Sequence, residues 1–364
     1  MIAAGGTGGH IYPGIALADA LRRKDPAIDV FFVGTMKGLE KALIPRAGYD
    51  VRFIDMRPFQ RKIGLAPIMA GLSLLRSTAQ ARKLLDGASV VAGMGGYPSL
   101  PTVAAARLAG IPSLIHESGA TPGLANRVAA RFTRNVGLAF PEAASGFSRR
   151  VEPRVVGMPL REEIANFDRD GLRLRAREEY GIPEGTVALL VMGGSLGALR
   201  LNEVAIQLAE RWRDRHDVRI ILKAGNDHVD RARAELEANG GIAVATTHGF
   251  IDRIDVAYAA ADLALVRAGA GTVAEIPVVG LPSILIPYPH APGDHQTLNA
   301  QPLMKAGAGI IFADHEANAD RVGPAIEDLL TDRTKLKSMA AAAVSLARPR
   351  AADDLADWLL ELAA

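Results

Sequence analysis

The residues of this chain best suited to chemistry sit beside glycine-rich turns. Near the start, Gly5-Gly6-Thr7-Gly8-Gly9 runs straight into His10. A glycine turn that follows a short apolar strand and opens a helix lets backbone amides approach an anion. This one breaks the GxGxxG pattern of dinucleotide folds at its last position and lacks the GK[ST] of triphosphatase loops. The histidine stands instead at the carboxyl end of a strand, where ligands gather in open α/β sheets. A neutral imidazole there can take a proton from a hydroxyl, although the same residue could simply cap its own helix.

Three further stretches have related character. "HESGATPGLANR" places His116 and Glu117 directly after an apolar run. A carboxylate at that point can act as a base or hold substrate hydroxyls, and it can equally be a helix cap. "GMGGYPSLP" (93–101) is another glycine turn after a strand. In the second half, "VRAGAGTVAE" carries a strand into Ala268-Gly269-Ala270-Gly271-Thr272 and then a helix containing Glu275. Small residues at a helix N-terminus suit a diphosphate, and Glu275 could accept bonds from vicinal hydroxyls such as those of a ribose. "PYPHAPGDHQTLNAQPL" holds His290 and His295 without a third ligand at metal-site spacing, so it reads as a solvated loop. Its Gln296 and Asn299 are suited to sugar hydroxyls. Asp168-Arg169-Asp170 has the Asp-x-Asp form of a metal site but lies away from any strand end and reads as a solvated charge run.

These residues need a frame. The chain has 364 residues, a length that suggests two domains. Its net charge of +2 gives no field that argues for nucleic acid, and the lack of cysteine excludes disulfides and cysteine-ligated zinc. With a glycine turn already at residue 5, no signal peptide is expected to open the chain. The longest apolar stretch, near 65–75, is shorter than the roughly 20 residues a bilayer span needs.

Short β-rich runs alternate with helical patterns, the sign of parallel α/β units. Strands are expected at 30–33, 51–54, 89–92, 113–115, 136–139 and 155–156, then at 187–192, 218–222, 243–246, 263–266, 283–286 and 309–312. Helices are expected at 13–24, 65–85, 102–108, 198–213, 273–279 and 321–330. The second half repeats the plan of the first, with Gly193-Gly194-Ser195-Leu196-Gly197 as its own first glycine turn. The fold expected is therefore α/β, with two Rossmann-like doubly wound parallel sheets facing across a cleft. One domain covers 1–160 and the other 161–347, with a linker near 157–164. An amphipathic C-terminal helix in 348–364 returns to the first domain.

Taken in order, "GGTGGHIYPGIALADAL", "GGYPSLPTVAAARLAGIP", "HESGATPGLANR", "VVGMPLRE", "GGSLGALRLN", "FIDRIDVAYAAADL", "RAGAGTVAE" and "PYPHAPGDHQTLNA" resemble the MurG family of bacterial glycosyltransferases (GT-B fold, family 28) along nearly the whole chain. The resemblance implies an inverting transferase with no cofactor and no required metal. It would move N-acetylglucosamine from uridine diphosphate N-acetylglucosamine (UDP-GlcNAc) to the C4 hydroxyl of the muramyl sugar of lipid I, giving lipid II. It matches His10 to the family's histidine, and His10 and Glu117 are the catalytic candidates. For the donor it implies Thr7, Gly8, Gly9, Arg161, Ser195, Ile251 (a backbone contact to uracil), Ala270, Gly271, Thr272, Val273, Ala274, Glu275 and Gln296. Where the family reads His-Glu-Gln-Asn, this chain reads His116-Glu117-Ser118-Gly119, and glycine cannot replace a donor-site amide. The first strand is also short for the family, so more residues are expected upstream of it.

A lipid-linked acceptor implies peripheral attachment to the cytoplasmic face of the bacterial membrane. Leu65, Ile68, Met69, Leu72 and Leu75 fall near helical spacing, with Arg61, Lys62 and Arg76 flanking them. Such a stripe suits an anionic lipid surface, and it equally suits packing on a sheet. Other readings are a related transferase acting on a natural-product acceptor, a nucleotide-sugar epimerase on the same fold, and a nucleotide-sugar-binding protein without turnover.

Overall fold

The computed structural model describes residues 1–56, 66–194 and 197–364, apart from the side chains of 66–70. The chain divides into two compact units, Met1–Arg161 with Arg348–Ala364, and Glu162–Ala347.

The first unit holds seven strands: β1 Ile2–Ala3, β2 Phe31–Gly34, β3 Asp50–Phe53, β4 Val91–Gly93, β5 Ser113–Glu117, β6 Asn135–Leu138 and β7 Glu152–Val155. Their order is β3-β2-β1-β4-β5-β6-β7, with every pairing parallel. The second unit holds β8 Val187–Met192, β9 Val218–Lys223, β10 Ala245–His248, β11 Leu263–Val266, β12 Ser283–Leu285 and β13 Gly309–Ile311. Their order is β10-β9-β8-β11-β12-β13, again all parallel. Central strands with helices on both faces must be apolar on both sides, and all six residues of β8 are buried. In each sheet the strand order reverses beside the first strand, β1 or β8. Ligands of doubly wound sheets bind at that reversal, and there the glycine turn 5–9 and, after β8, Gly193 and Gly194 leave the sheet.

Several expected boundaries shift, with chemical consequences. The first helix spans Gly8–Lys24, not 13–24. Thr7 is its N-cap residue, and the Thr7 carbonyl accepts from the amides of His10 and Ile11. His10 therefore lies in the first helical turn. The 273–279 helix begins at Ala270 and ends at Val279. β5 continues through His116 and Glu117, which were expected just beyond it.

The C-terminal helix Ala351–Ala363 completes the first unit. Its Leu355, Ala356 and Leu359 join one core cluster with Ile11, Ile15 and Leu17 of the Gly8–Lys24 helix. Asp353 and Asp357 pair with Arg23 and Lys24 at 2.9 and 2.7 Å. In the second unit the Asp168-Arg169-Asp170 stretch starts a helix, Arg169–Glu179, which Asp168 caps by accepting from Gly171 N at 3.0 Å. Arg173 and Arg177 of that helix pair with Asp262.

Candidate functional site

In the first unit two turns meet around His10. Gly96 (φ +77°) abuts the carbonyl of Gly5 so closely that a Cβ would clash with it. A Cβ on Gly95 (φ +96°) would stand 2.6 Å from Cδ2 of the His10 ring. The glycines of "GMGGYPSLP" are thus required by contact with the first glycine turn. His10 Nδ1 lies 3.3 Å from the Gly5 carbonyl oxygen and 3.4 Å from Thr7 Oγ1. A carbonyl only accepts, so Nδ1 carries the proton and Nε2 keeps its lone pair. Burial pushes the His10 pKa below the ordinary histidine value; the Gly5 bond and the Glu40 carboxylate draw it part of the way back. The ring is therefore neutral near pH 7 and offers a basic nitrogen.

No motif or spacing in the sequence points to Glu40. This fully buried residue accepts from Thr35 N (2.9 Å) and Thr35 Oγ1 (2.7 Å) through Oε1, and from Gly6 N (3.0 Å) through Oε2. Its carboxylate is the internal brace of the first glycine turn. A Cβ on Gly5 would lie 2.7 Å from its Oε1, and one on Gly34 2.7 Å from its Cγ.

Glu117 is buried, and its carboxylate serves the turn that follows β5. Oε1 accepts from Gly119 N at 2.9 Å; Oε2 accepts from Gly123 N at 3.0 Å and Asn126 Nδ2 at 2.9 Å. Its neighbour His116 is wholly buried and donates from Nε2 to the Gly157 carbonyl at 2.8 Å. Burial takes the His116 pKa down to about 4. This histidine ties β5 to the chain leaving β7. Gly119 is not among the residues with positive φ, and a Cβ there would meet Thr121 O at 3.3 Å and Glu117 Oε1 at 3.4 Å. Arg161 is half-buried, with its guanidinium over the Tyr12 ring at 5.5 Å.

In the second unit the ends of three strands lie in register: Lys223 of β9 opposite Met192 of β8, and Met192 opposite Val266 of β11. The glycine turn follows Met192, and its Ser195 lies outside the described residues. Beyond Val266 the chain reaches Gly269, the N-cap residue of the Ala270–Val279 helix, which has no side-chain cap. The first amides of a helix have no partners within it, and Cβ atoms built on Gly269 or Gly271 would meet nothing within 4 Å. Ala270, Gly271, Thr272, Ala274 and Glu275 are half-buried. The Val273 side chain is turned into the core, which leaves only its backbone for a ligand. Glu275 Oε2 accepts from Tyr258 OH at 2.8 Å. Ile251 is buried beside the exposed Phe250.

Of two polar residues here, Asn299 differs from expectation and Gln296 keeps a group for a ligand. Asn299, expected at a sugar, is fully buried, and its Nδ2 donates to the Ala268 carbonyl at 3.2 Å. It fastens its helix to the turn below the Ala270–Val279 N-terminus. Gln296 Oε1 accepts from Tyr288 N at 2.9 Å, so its amide NH2 is the group left for a ligand. Sequence reasoning passed over Lys223, a buried ammonium that donates to Gly194 O at 2.7 Å and lies 5.3 Å from the centre of the Phe250 ring. Burial lowers its pKa, and the Glu275 carboxylate opposes that shift.

Of the apolar stripe, Leu72 and Leu75 are 63% and 69% exposed on the Ala66–Lys83 helix, and Arg76 is exposed beside them. Arg61, Lys62 and Leu65 lie outside the described residues, as do the side chains of Ile68 and Met69. Among the described residues no helix is long and apolar enough to cross a membrane.

Comparison with known proteins agrees with this frame. Residues 1–138 match the glycosyltransferase family 28 N-terminal domain, and residues 188–355 match the family 28 C-terminal domain. A UDP-N-acetylglucosamine–N-acetylmuramyl-(pentapeptide) pyrophosphoryl-undecaprenol N-acetylglucosamine transferase from Mycolicibacterium smegmatis is 42% identical, over 100% of this chain and 94% of that protein. The protein of the same name from Desulforudis audaxviator is 38% identical, over 100% of this chain and 98% of its own length. The crystal structure of Acinetobacter baumannii MurG superposes with a TM-score of 0.78 at 31% identity, covering 99% of this chain and 98% of that one. With both family domains matched in order on two all-parallel sheets, the chain belongs to glycosyltransferase family 28.

Proposed function

We propose that the protein transfers N-acetylglucosamine from UDP-GlcNAc to the C4 hydroxyl of the muramyl sugar of lipid I, with inversion at the anomeric carbon. The curated relatives carry the name of that transferase at 38–42% identity over the full chain. The observation that carries the chemical part is the His10 ring, whose Nδ1 faces the Gly5 carbonyl and whose Nε2 is left basic. In the proposed step Nε2 takes the proton of the acceptor hydroxyl. The hydroxyl oxygen bonds to the anomeric carbon as that carbon's bond to the diphosphate oxygen breaks, and uridine diphosphate (UDP) departs as the anion.

Two glycine turns serve the donor in this reading. Thr7, Gly8 and Gly9 approach the sugar. Ser195 and the open N-terminus at Ala270, Gly271 and Thr272 receive the diphosphate, where helix amides favour negative charge. Glu275 takes the ribose hydroxyls, Ile251 the uracil, Gln296 the sugar and Arg161 the donor. Glu117 is assigned to holding the 118–123 turn, because backbone and Asn126 donors already occupy both its oxygens. His10 is thereby favoured as the base.

The acceptor is lipid-linked, so the protein is placed on the cytoplasmic face of the cell membrane as a peripheral protein. The exposed Leu72 and Leu75, with Arg76 beside them, support this, since an apolar helix face with basic flanks binds anionic surfaces. The deciding experiment is a transfer assay with labelled UDP-GlcNAc and a soluble lipid I analogue, with mass analysis of the product. A disaccharide product is expected, and His10→Ala should lower turnover by about 10²–10⁴-fold while donor binding stays the same. A parent protein that converts UDP-GlcNAc to UDP-N-acetylmannosamine and forms no disaccharide would place it with the epimerases instead.

A further inference from the structure

A buried lysine is normally paired with an acid. Lys223 is only 6% exposed. Among the described residues its ammonium has one hydrogen-bond acceptor, the neutral carbonyl of Gly194, and no carboxylate within salt-bridge distance. Its other neighbour is the face of Phe250. The charge is therefore held at the carboxyl end of β9 without a direct counter-ion.

The position gives this meaning. Lys223 is in register with Met192, the residue immediately before the second glycine turn, at the reversal of strand order in the β10-β9-β8-β11-β12-β13 sheet. The chain beyond it is also fitted to that turn, since a Cβ on Gly197 (φ +80°) would clash with the Ala224 carbonyl. Phe250 precedes Ile251, and the opposing charge nearest in effect belongs to Glu275. Lys223 thus stands among the segments assigned above to diphosphate, uracil and ribose. An ammonium there is a point charge of the kind that suits phosphate.

We propose that Lys223 is a donor-binding residue whose ammonium contacts and neutralises the diphosphate of the nucleotide sugar, with the Gly194 carbonyl holding it in place. This rests on the UDP-GlcNAc reading above and adds to it a charged contact carried by the protein's own β9. The contact should favour UDP over uridine, because only the diphosphate carries the charge that Lys223 meets.

The test is calorimetric titration of the parent, Lys223→Met, Lys223→Gln and Lys223→Arg with UDP and with uridine, alongside their thermal unfolding. Lys223→Met removes a buried charge and fills a similar volume, so it should fold. The expected result is a loss of UDP affinity of about tenfold to a hundredfold in Lys223→Met, as for a charge-assisted hydrogen bond. Uridine affinity should stay within about twofold, and the salt dependence of UDP binding should flatten. Lys223→Gln can still donate to Gly194 O but should not recover UDP affinity; Lys223→Arg should recover part of it. Parent-like UDP binding by Lys223→Gln would make the lysine only a brace of the glycine turn and overturn the proposal. Equal losses for UDP and uridine would overturn it as well. If the parent itself does not bind UDP, the donor reading fails together with this inference, whereas parent binding that Lys223→Met leaves unchanged refutes this inference alone.

Discussion

The carboxylate of Glu40 offers a sharp test of how the first glycine turn is held. It is fully buried and accepts from Gly6 N, Thr35 N and Thr35 Oγ1 at 3.0, 2.9 and 2.7 Å. Glu40→Gln keeps one oxygen for the Thr35 pair but turns an NH2 group toward the Gly6 amide. One buried donor loses its partner, a cost of about 1–3 kcal/mol, and relief of the buried charge offsets part of it. Glu40→Leu strands all three donors and should cost roughly 3–5 kcal/mol. Urea denaturation at pH 7.5 gives the global number. Hydrogen exchange of the segment containing Gly6 gives the local one, and about tenfold faster exchange in Glu40→Gln is expected for a local loss near 1.4 kcal/mol. Turnover on a soluble acceptor should fall in step, since Gly5 and Thr7 position the His10 ring. A Glu40→Leu protein as stable as the parent, with unchanged Gly6 exchange, would refute the brace.

Other expectations concern acid, the donor and the lipid surface. His116 titrates at about 4 in the fold against an ordinary 6.5, so the unfolded chain binds the extra proton first. Stability should fall as pH drops from about 6.5 toward 4, by about 3 kcal/mol for this group, which urea midpoints at pH 7.5, 6 and 5 will show; a flat series refutes it. The lowered His10 pKa means that its base form persists below the usual histidine range, so the acidic limb of the pH–rate profile should lie below pH 6.5. Gly119→Asn should fold, because φ is not left-handed and the Cβ contacts of 3.3 and 3.4 Å need only slight give; it should tighten UDP-GlcNAc binding several-fold without changing that of UDP. Leu72→Glu with Leu75→Glu should abolish sedimentation with anionic vesicles at low salt and spare turnover on a soluble acceptor, and a parent that never sediments removes the membrane reading.

The periodicity of the chain made the sheets legible, and β8 and β11 fall at the expected residues because each is an unbroken apolar run between polar turns. The helix starts were less legible. Glycines at 8 and 9 read as loop, yet the backbone is already helical there because Thr7 can take the extended N-cap conformation. His10 could be singled out by its place after a glycine turn. Glu40 and Lys223 could not, since each is one charged residue in an unremarkable run. Their meaning comes from partners 34 and 29 residues away. Asn299 misled for the same reason: its residue type fits a sugar, but the fold spends its amide on a carbonyl 31 residues away.

The return of residues 348–364 to the first unit also orders events during synthesis. The helix Ala351–Ala363 supplies part of the core that covers the Gly8–Lys24 helix. The first unit therefore cannot close that core until residues 348–364 have left the ribosome. Glu162–Ala347 is continuous in the chain and can fold as soon as it emerges. Until then the part of the core shared by Ile11 and Ile15 with Leu355 and Leu359 stays open in the nascent protein, and it closes only when the returning helix docks.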